Sequence, residues 1–122
     1  MWNKPTKERL EQIPGLYKTE NVPLQEKLIY LHFFIGNCDW FVAEFDGLDT
    51  CFGFVILDGE FENAEWGYFA LSELGDLNLQ GIEIDCELEE NWQLRPAKQV
   101  NRISDAQGWL KTSMIKMRGN NV

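Results

Sequence analysis

The stretch KLIYLHFFIGNCDWFVAEFDGLDTCFGFVIL, residues 27–57, decides the predicted fold. Residues 27–35 are apolar at both odd and even positions, which is typical of a central strand covered on both faces. Turn residues at 36–39 and at 46–47 separate this strand from apolar runs at 40–45 and 50–57. The spacing predicts three consecutive antiparallel strands joined as hairpins.

Two more strands and two helices complete the predicted domain. Residues 65–70 predict a fourth strand, and residues 80–88 alternate apolar and acidic side chains, which predicts a fifth strand near a sheet edge. A short helix is expected before Pro14, and an amphipathic helix is expected from Ser104 onward, where Ser104 and Gln107 have capping-box spacing. We predict one α+β domain over residues 1–122, an antiparallel sheet of about five strands in a meander with both helices packed on it.

Charge is distributed unevenly along the chain. The net charge is −9, yet residues 28–94 contain fifteen Asp and Glu and no Lys or Arg, whereas six Lys and Arg follow residue 94. Because an acidic protein surface repels the phosphate backbone of DNA and RNA, we do not expect residues 28–94 to bind nucleic acid directly. A basic partner protein, a metal ion or the chain's own basic C-terminal segment would supply the counter-charge.

Other sequence features bear on location. Cys38, Cys51 and Cys86 are an odd number without paired short spacing, so reduced thiols are expected rather than disulfides or a zinc site. No apolar run approaches the roughly 18 residues of a membrane helix, and the N-terminal residues lack the apolar core of a secretory signal. We expect a cytoplasmic protein with no membrane partner and no cofactor.

Acidic residues on the predicted fifth strand form the first candidate binding site. Glu83, Asp85 and Glu87 would point the same way, roughly 6.5–7 Å apart, and present a face to a basic partner. The alternative is an ordinary solvated face that nearby cations neutralise in part. Those cations are Arg95, Lys98 and Arg102.

Acidic residues at the predicted hairpin turns form the second candidate site. Such carboxylates suit calcium or magnesium, but Asn63 and Phe69 stand where an EF-hand loop beginning at Asp58 requires glycine and glutamate. The same residues are also ordinary turn chemistry, and we expect no metal site. The candidate binding residues are Asp46, Asp49, Asp58, Glu60 and Glu62.

Four side chains within the predicted strands complete the candidates. His32 lies in an apolar strand, which indicates a hydrogen-bonded core histidine. Glu44 alternates with apolar residues, and a half-buried carboxylate with a raised pKa would suit a general acid, although no nucleophile–base motif accompanies it. Trp66 and Tyr68 alternate beside Glu65 and are candidate aromatic anchors at an interface.

Several blocks of this chain resemble one bacterial family. The blocks are IPGLYKTE (13–20), LHFF (31–34), WFVAEFDG (40–47), FGFV (52–55) and EWGYFALSEL (65–74). Together they are similar to the family known as domain of unknown function 2958, over about residues 5–96, with Ile13 and Trp66 where the family has leucine. The resemblance implies a small bacterial protein of plasmids, conjugative elements and phages, and it brings no catalytic residues.

These features favour a non-enzymatic protein that binds a basic partner surface, as an interaction or mobile-element accessory factor. The alternative is a small metal-dependent or acid–base enzyme that uses Asp46, Asp58 or Glu44. A third interpretation is that the basic C-terminal segment, residues 95–122, folds back on the acidic body. The oligomeric state is left open.

Overall fold

The computed structural model describes residues 3–109. Its main component is a five-stranded antiparallel sheet, and three short helices and two small two-stranded pairings surround it. The helices are α1 (Lys7–Glu11), α2 (Leu71–Gly75) and α3 (Asn101–Gln107), and the strands are β1 (Leu28–Ile29), β2 (Leu31–Ile35), β3 (Cys38–Phe45), β4 (Thr50–Ile56), β5 (Glu65–Ala70), β6 (Asn78–Leu79), β7 (Ile82–Glu83), β8 (Asp85–Cys86) and β9 (Arg95–Pro96).

The main sheet has the strand order β5-β4-β3-β2-β8. Strands β2 to β5 follow one another as hairpins, so the predicted α+β fold and its antiparallel meander are confirmed. The fifth strand, β8, pairs with β2 at the opposite edge from β5. The strands β5 and β8 are therefore the two edges of the sheet. Six residues of β5 pair with β4, whereas only two residues of β8 pair with β2.

The predicted single strand at residues 80–88 is wrong. Gln80 and Gly81 adopt positive φ angles of 53° and 89°, and these form a tight turn between β6 and β7. A single residue, Ile84, then separates β7, which pairs with β6, from β8, which pairs with β2. Ile84 and Cys86 are buried as expected, but Ile82 is 61% exposed because it lies in the small hairpin and not in the main sheet.

Both faces of the central strands are covered, as the two-sided apolar pattern predicts. One face buries Phe33 and Val42 against the helices α1 and α2. The other face buries Phe41 and Phe54 against the segment that contains α3, including Ile103. The sheet is therefore the middle layer, and its edges are the places where backbone groups can be reached from outside.

A bulge in β3 brings two backbones unusually close. The register of β3 against β4 shifts between Val42 and Glu44. At Gly53, opposite Val42, an added Cβ would lie 1.7 Å from the backbone oxygen of Phe41, so only glycine fits there. The bulge directs Glu44 into the interior beside residues 17–19, where the candidate site begins.

The terminal helices agree with the sequence in part. The helix expected before Pro14 is present as α1, and Thr6 caps it by accepting a hydrogen bond from the N–H of Arg9. The helix predicted from Ser104 is α3, and it begins at Asn101, so Ser104 is not its cap. The Ser104 hydroxyl instead donates to the carbonyl of Lys98. Gly108, with φ of 69°, ends α3. The remainder of the predicted amphipathic helix lies outside the described residues.

Candidate interaction surface

The three residues of the predicted acidic ladder lie in different surroundings. Glu83 belongs to β7 and is exposed, whereas Asp85 belongs to β8, where its carboxylate accepts a hydrogen bond from the N–H of Cys86 at 2.8 Å. Glu87 follows β8 and lies 3.0 Å from Nδ1 of His32. The regular strand face expected for Glu83, Asp85 and Glu87 is therefore not formed, because Glu83 belongs to the β6–β7 hairpin, whereas Asp85 belongs to the main sheet and Glu87 follows it.

His32 is the buried, hydrogen-bonded histidine that the sequence predicts. Its Nε2 lies 2.7 Å from Oδ1 of Asp39, its Nδ1 contacts Glu87, and its ring stacks on Phe41 at 4.4 Å. Arg102 of α3 also binds Asp39, with NH2 2.8 Å from Oδ2. This network joins β2, β3, α3 and the residue that follows β8.

Two of the predicted turn acids stabilise the chain locally. Asp46 accepts hydrogen bonds from the N–H groups of Leu48, Asp49 and Thr50 at 2.8–3.0 Å, and the first two of these are the main reason that its pKa is lowered. Asp49 accepts from the N–H and hydroxyl of Ser72 at 2.8 and 2.6 Å, at the start of α2. The contacts of Asp46 match the turn-chemistry interpretation, whereas Asp49 instead binds a residue 23 positions away along the chain.

The other turn acids lie around the β4–β5 hairpin and are exposed. Asp58, at φ of 54°, forms the turn, and Glu60 accepts a hydrogen bond from Asn63. Glu62 and Glu65 are exposed at the start of β5. Within residues 3–109 none of these four acids forms an ion pair with Lys or Arg. In that part of the chain, no three His, Cys, Asp or Glu side chains are placed so that they could hold a metal ion together.

Most cations among residues 3–109 have partners within the chain. Arg102 binds Asp39, Lys98 binds Glu26 at 2.7 Å, and Arg95 donates to the carbonyl of Gln93. The neutralisation of the ladder by Arg95, Lys98 and Arg102 is therefore not found. The described cations that form ion pairs or hydrogen bonds are Lys7, Arg9, Lys27, Arg95, Lys98 and Arg102.

Glu44 lies in a buried ion pair, and its surroundings are not those expected for a general acid. Its carboxylate accepts hydrogen bonds from the N–H of Tyr17 at 2.9 Å and from both N–H and hydroxyl of Thr19, and it lies 3.7 Å from Nζ of Lys27. Burial alone would raise the pKa of Glu44, but the contacts with Thr19, Tyr17 and Lys27 outweigh it and lower the pKa. The predicted raised pKa is wrong, because a sequence pattern does not show these donors.

The aromatic candidates lie on the open end of one sheet face. Tyr68 is 56% exposed and packs against Phe52 and Tyr17, with ring centroids 5.1 and 6.3 Å away. Trp66 is half-buried, and its Nε1 donates to Gln107 at 3.1 Å. Tyr17 itself is 62% exposed and has a φ of 68°, a strained conformation that residues such as Glu44 hold in place. Tyr17 lies in a turn that follows Pro14 and Gly15.

A groove runs along the other face of β5. It has a volume of about 360 Å³ and an apolar floor that includes Trp40, Leu57 and Leu77. Glu65 and Glu73 supply its carboxylates. A larger cleft of about 480 Å³ lies between α1 and the β3–β4 turn, but its acid Asp49 is already held by Ser72.

The three cysteines form no disulfide, and the thiols of two of them are unreactive. Burial raises the pKa of Cys51 to about 12. Burial also raises the pKa of Cys86 to about 11. Thiols with such pKa values are not ionised at neutral pH, so neither is a nucleophile.

No protein-family model, curated protein or solved structure matches this chain. The resemblance to the family described above is therefore still a prediction. Within residues 3–109, no helix has the length and apolar character needed to cross a membrane.

Proposed function

We propose that this chain is a non-enzymatic interaction protein that binds a basic segment of a partner protein on the β5 side of its sheet. The observation that carries the proposal is that most described cations have partners within the chain, whereas the acids around β5 have no cationic partner among the described residues. Six of the eight Lys and Arg among residues 3–109 form ion pairs or hydrogen bonds within the chain, whereas Glu62, Glu65 and Glu73 around β5 have no Lys or Arg partner there. A basic partner would supply the missing counter-charge.

Exposed aromatic rings beside these acids also favour the β5 side of the sheet as the binding surface. Aromatic residues are enriched at the energetic centres of interfaces, and Tyr17 and Tyr68 present theirs to solvent. With the family resemblance, this proposal includes a role as an accessory factor of a mobile element, whose partner would be a basic protein that otherwise binds nucleic acid.

The test uses the full-length protein and a short synthetic peptide that alternates lysine and valine. One variant carries Glu60→Lys, Glu62→Lys and Glu65→Lys at the β4–β5 hairpin. The matched control carries Asp85→Lys, Glu89→Lys and Glu90→Lys on the β8 side, so both variants have the same net charge. Binding is measured by fluorescence anisotropy at low and high salt.

We expect the hairpin variant to bind the peptide at least about tenfold more weakly than the control variant, because local charge complementarity exceeds the effect of net charge. The salt dependence of binding should also fall in the hairpin variant alone. Equal weakening in both variants would show that only net charge matters, and the proposal would then fail.

A further inference from the structure

The outer edge of β5 has a defined set of outward backbone groups. Leu71 N–H donates to the carbonyl of Asp49 at 2.9 Å, and the register pairs Thr50 with Ala70, so Leu71 lies directly opposite Asp49. Hydrogen-bonded pairs recur at every second residue of an antiparallel ladder. The N–H and C=O groups that point away from β4 are therefore those of Trp66, Tyr68 and Ala70.

The C=O of Ala70 begins α2, where it accepts the first hydrogen bond of that helix. The other outward groups make no hydrogen bond to any other part of the chain between residues 3 and 109. The β8 edge differs, because Asp85 and Asn3 satisfy the N–H and C=O of Cys86 there. An exposed edge strand with free donors and acceptors is a template for one more strand.

The two flanks of β5 then determine which side chains an added strand would carry. On the groove side, an apolar floor with Leu57 and Leu77 lies beside the carboxylates of Glu65 and Glu73. This combination fits lysine and arginine, whose aliphatic stems pack on apolar surface while the charged end reaches a carboxylate. On the other side, Trp66 and Tyr68 favour β-branched or aromatic neighbours across the strand pair.

From these observations we propose that β5 binds an extended basic segment of a partner protein by strand addition. The segment alternates lysine or arginine, directed into the groove, with apolar residues over the aromatic side. Charge complementarity selects this occupant over a second copy of the chain, because pairing two β5 strands would bring Glu65 of each copy toward the other acidic body. This inference rests on the proposed function and specifies how the partner is held.

The test compares two substitutions at one position in the full-length protein. Tyr68→Pro removes the outward N–H, whereas Tyr68→Ala removes the same ring and keeps the N–H. The probes are the alternating lysine–valine peptide and the same peptide with methylated backbone nitrogens. We expect Tyr68→Pro to bind the unmodified peptide at least about fivefold more weakly than Tyr68→Ala, the effect of one lost hydrogen bond. Methylation should weaken binding to the parent protein by a similar factor or more.

Three results would overturn strand addition. The first is equal affinity of Tyr68→Pro and Tyr68→Ala for the unmodified peptide. The second is a concentration-dependent dimer, seen by sedimentation, that Tyr68→Pro abolishes, because a second copy would then occupy β5. The third is much tighter peptide binding when Lys111, Lys116 and Arg118 are changed to alanine, because the chain's own basic segment would then be the occupant.

The two proposals fail in different ways. If the hairpin charge reversal weakens binding but the proline and methylation comparisons show no difference, the basic partner is retained and strand addition is wrong. If the charge reversals at the hairpin and on the β8 side have equal effects, the proposed function itself is wrong.

Discussion

The two outer strands of the main sheet differ in what satisfies their free backbone groups. At β8, the N–H of Cys86 is bound by the carboxylate of Asp85, its C=O accepts from Asn3, and the C=O of Glu87 accepts from Arg9 at 2.8 Å. At β5, no described residue contacts the outward groups in this way. The first edge is closed by side chains, and the second is open.

The difference shows that a sheet edge can be closed without another strand. Only two residues of β8 pair with β2, and side chains from α1 and the residues before it reach across them. Strand β5 has six residues, all paired with β4, and its outer flank carries exposed aromatic and acidic residues. Natural proteins normally protect an edge of that length, and residues 3–109 provide no such protection for β5.

The largest expected effect lies at Glu44, which holds Tyr17 beside the open edge. Glu44→Gln should lower the free energy of unfolding at neutral pH by about 3–5 kcal/mol, because Lys27, only 5% exposed, would lose its charged partner. Chemical denaturation measures this loss. The double variant Glu44→Gln with Lys27→Met should recover part of it, since no unpaired buried charge is left.

The same carboxylate makes stability depend on acidity. Its pKa in the folded chain lies below the usual value of 4.5, so its contribution is complete above that pH and is lost as the pH falls through the folded pKa. Stability of Glu44→Gln should therefore decline less than that of the parent between neutral and acid pH. An identical decline in both proteins would show that Glu44 is not held as described.

A smaller effect is expected at the closed edge, from Arg9. Arg9→Met should lower the free energy of unfolding by about 1.5–3 kcal/mol, because a largely buried charged donor to the carbonyl of Glu87 is lost. Lys7→Met is the matched control on the same helix. Its ion pair with Glu11 is 3.8 Å long and exposed, so a change of at most about 0.5 kcal/mol is expected. Equal losses in the two variants would mean that Arg9 does not close this edge.

The sequence predicts the centre of this sheet better than its edges. The apolar faces of residues 27–57 specify β2, β3 and β4, since burial on both sides leaves few alternatives. The position of β8 depends on a turn at Gln80 and Gly81 that regular alternation obscured, although Gly81 is itself a turn signal. Closure of β8 depends on Arg9 and Glu87, which are 78 residues apart, and no local pattern reports such a contact.

The candidate site shows the same division. Tyr68 is exposed as predicted, because alternation beside an acidic residue is a local signal. The open edge itself was not predicted, because whether β5 is an outer strand depends on where the rest of the chain packs. Likewise, the lowered pKa of Glu44 depends on hydrogen-bond donors that lie 25 and 27 residues away along the chain.

The smallest expected effect tests which backbone groups of β5 point outward. Tyr68→Pro should lower the free energy of unfolding by no more than about 1 kcal/mol, because the lost N–H has no partner within residues 3–109 and proline is tolerated at such edge positions. Gly67→Pro should cost about 3 kcal/mol, because the N–H of Gly67 points toward Gly53 of β4. Denaturation of both variants gives the comparison. If Tyr68→Pro were the more damaging of the two, the outward groups would belong to the other set of residues, and the open edge would lose the donors that strand addition requires.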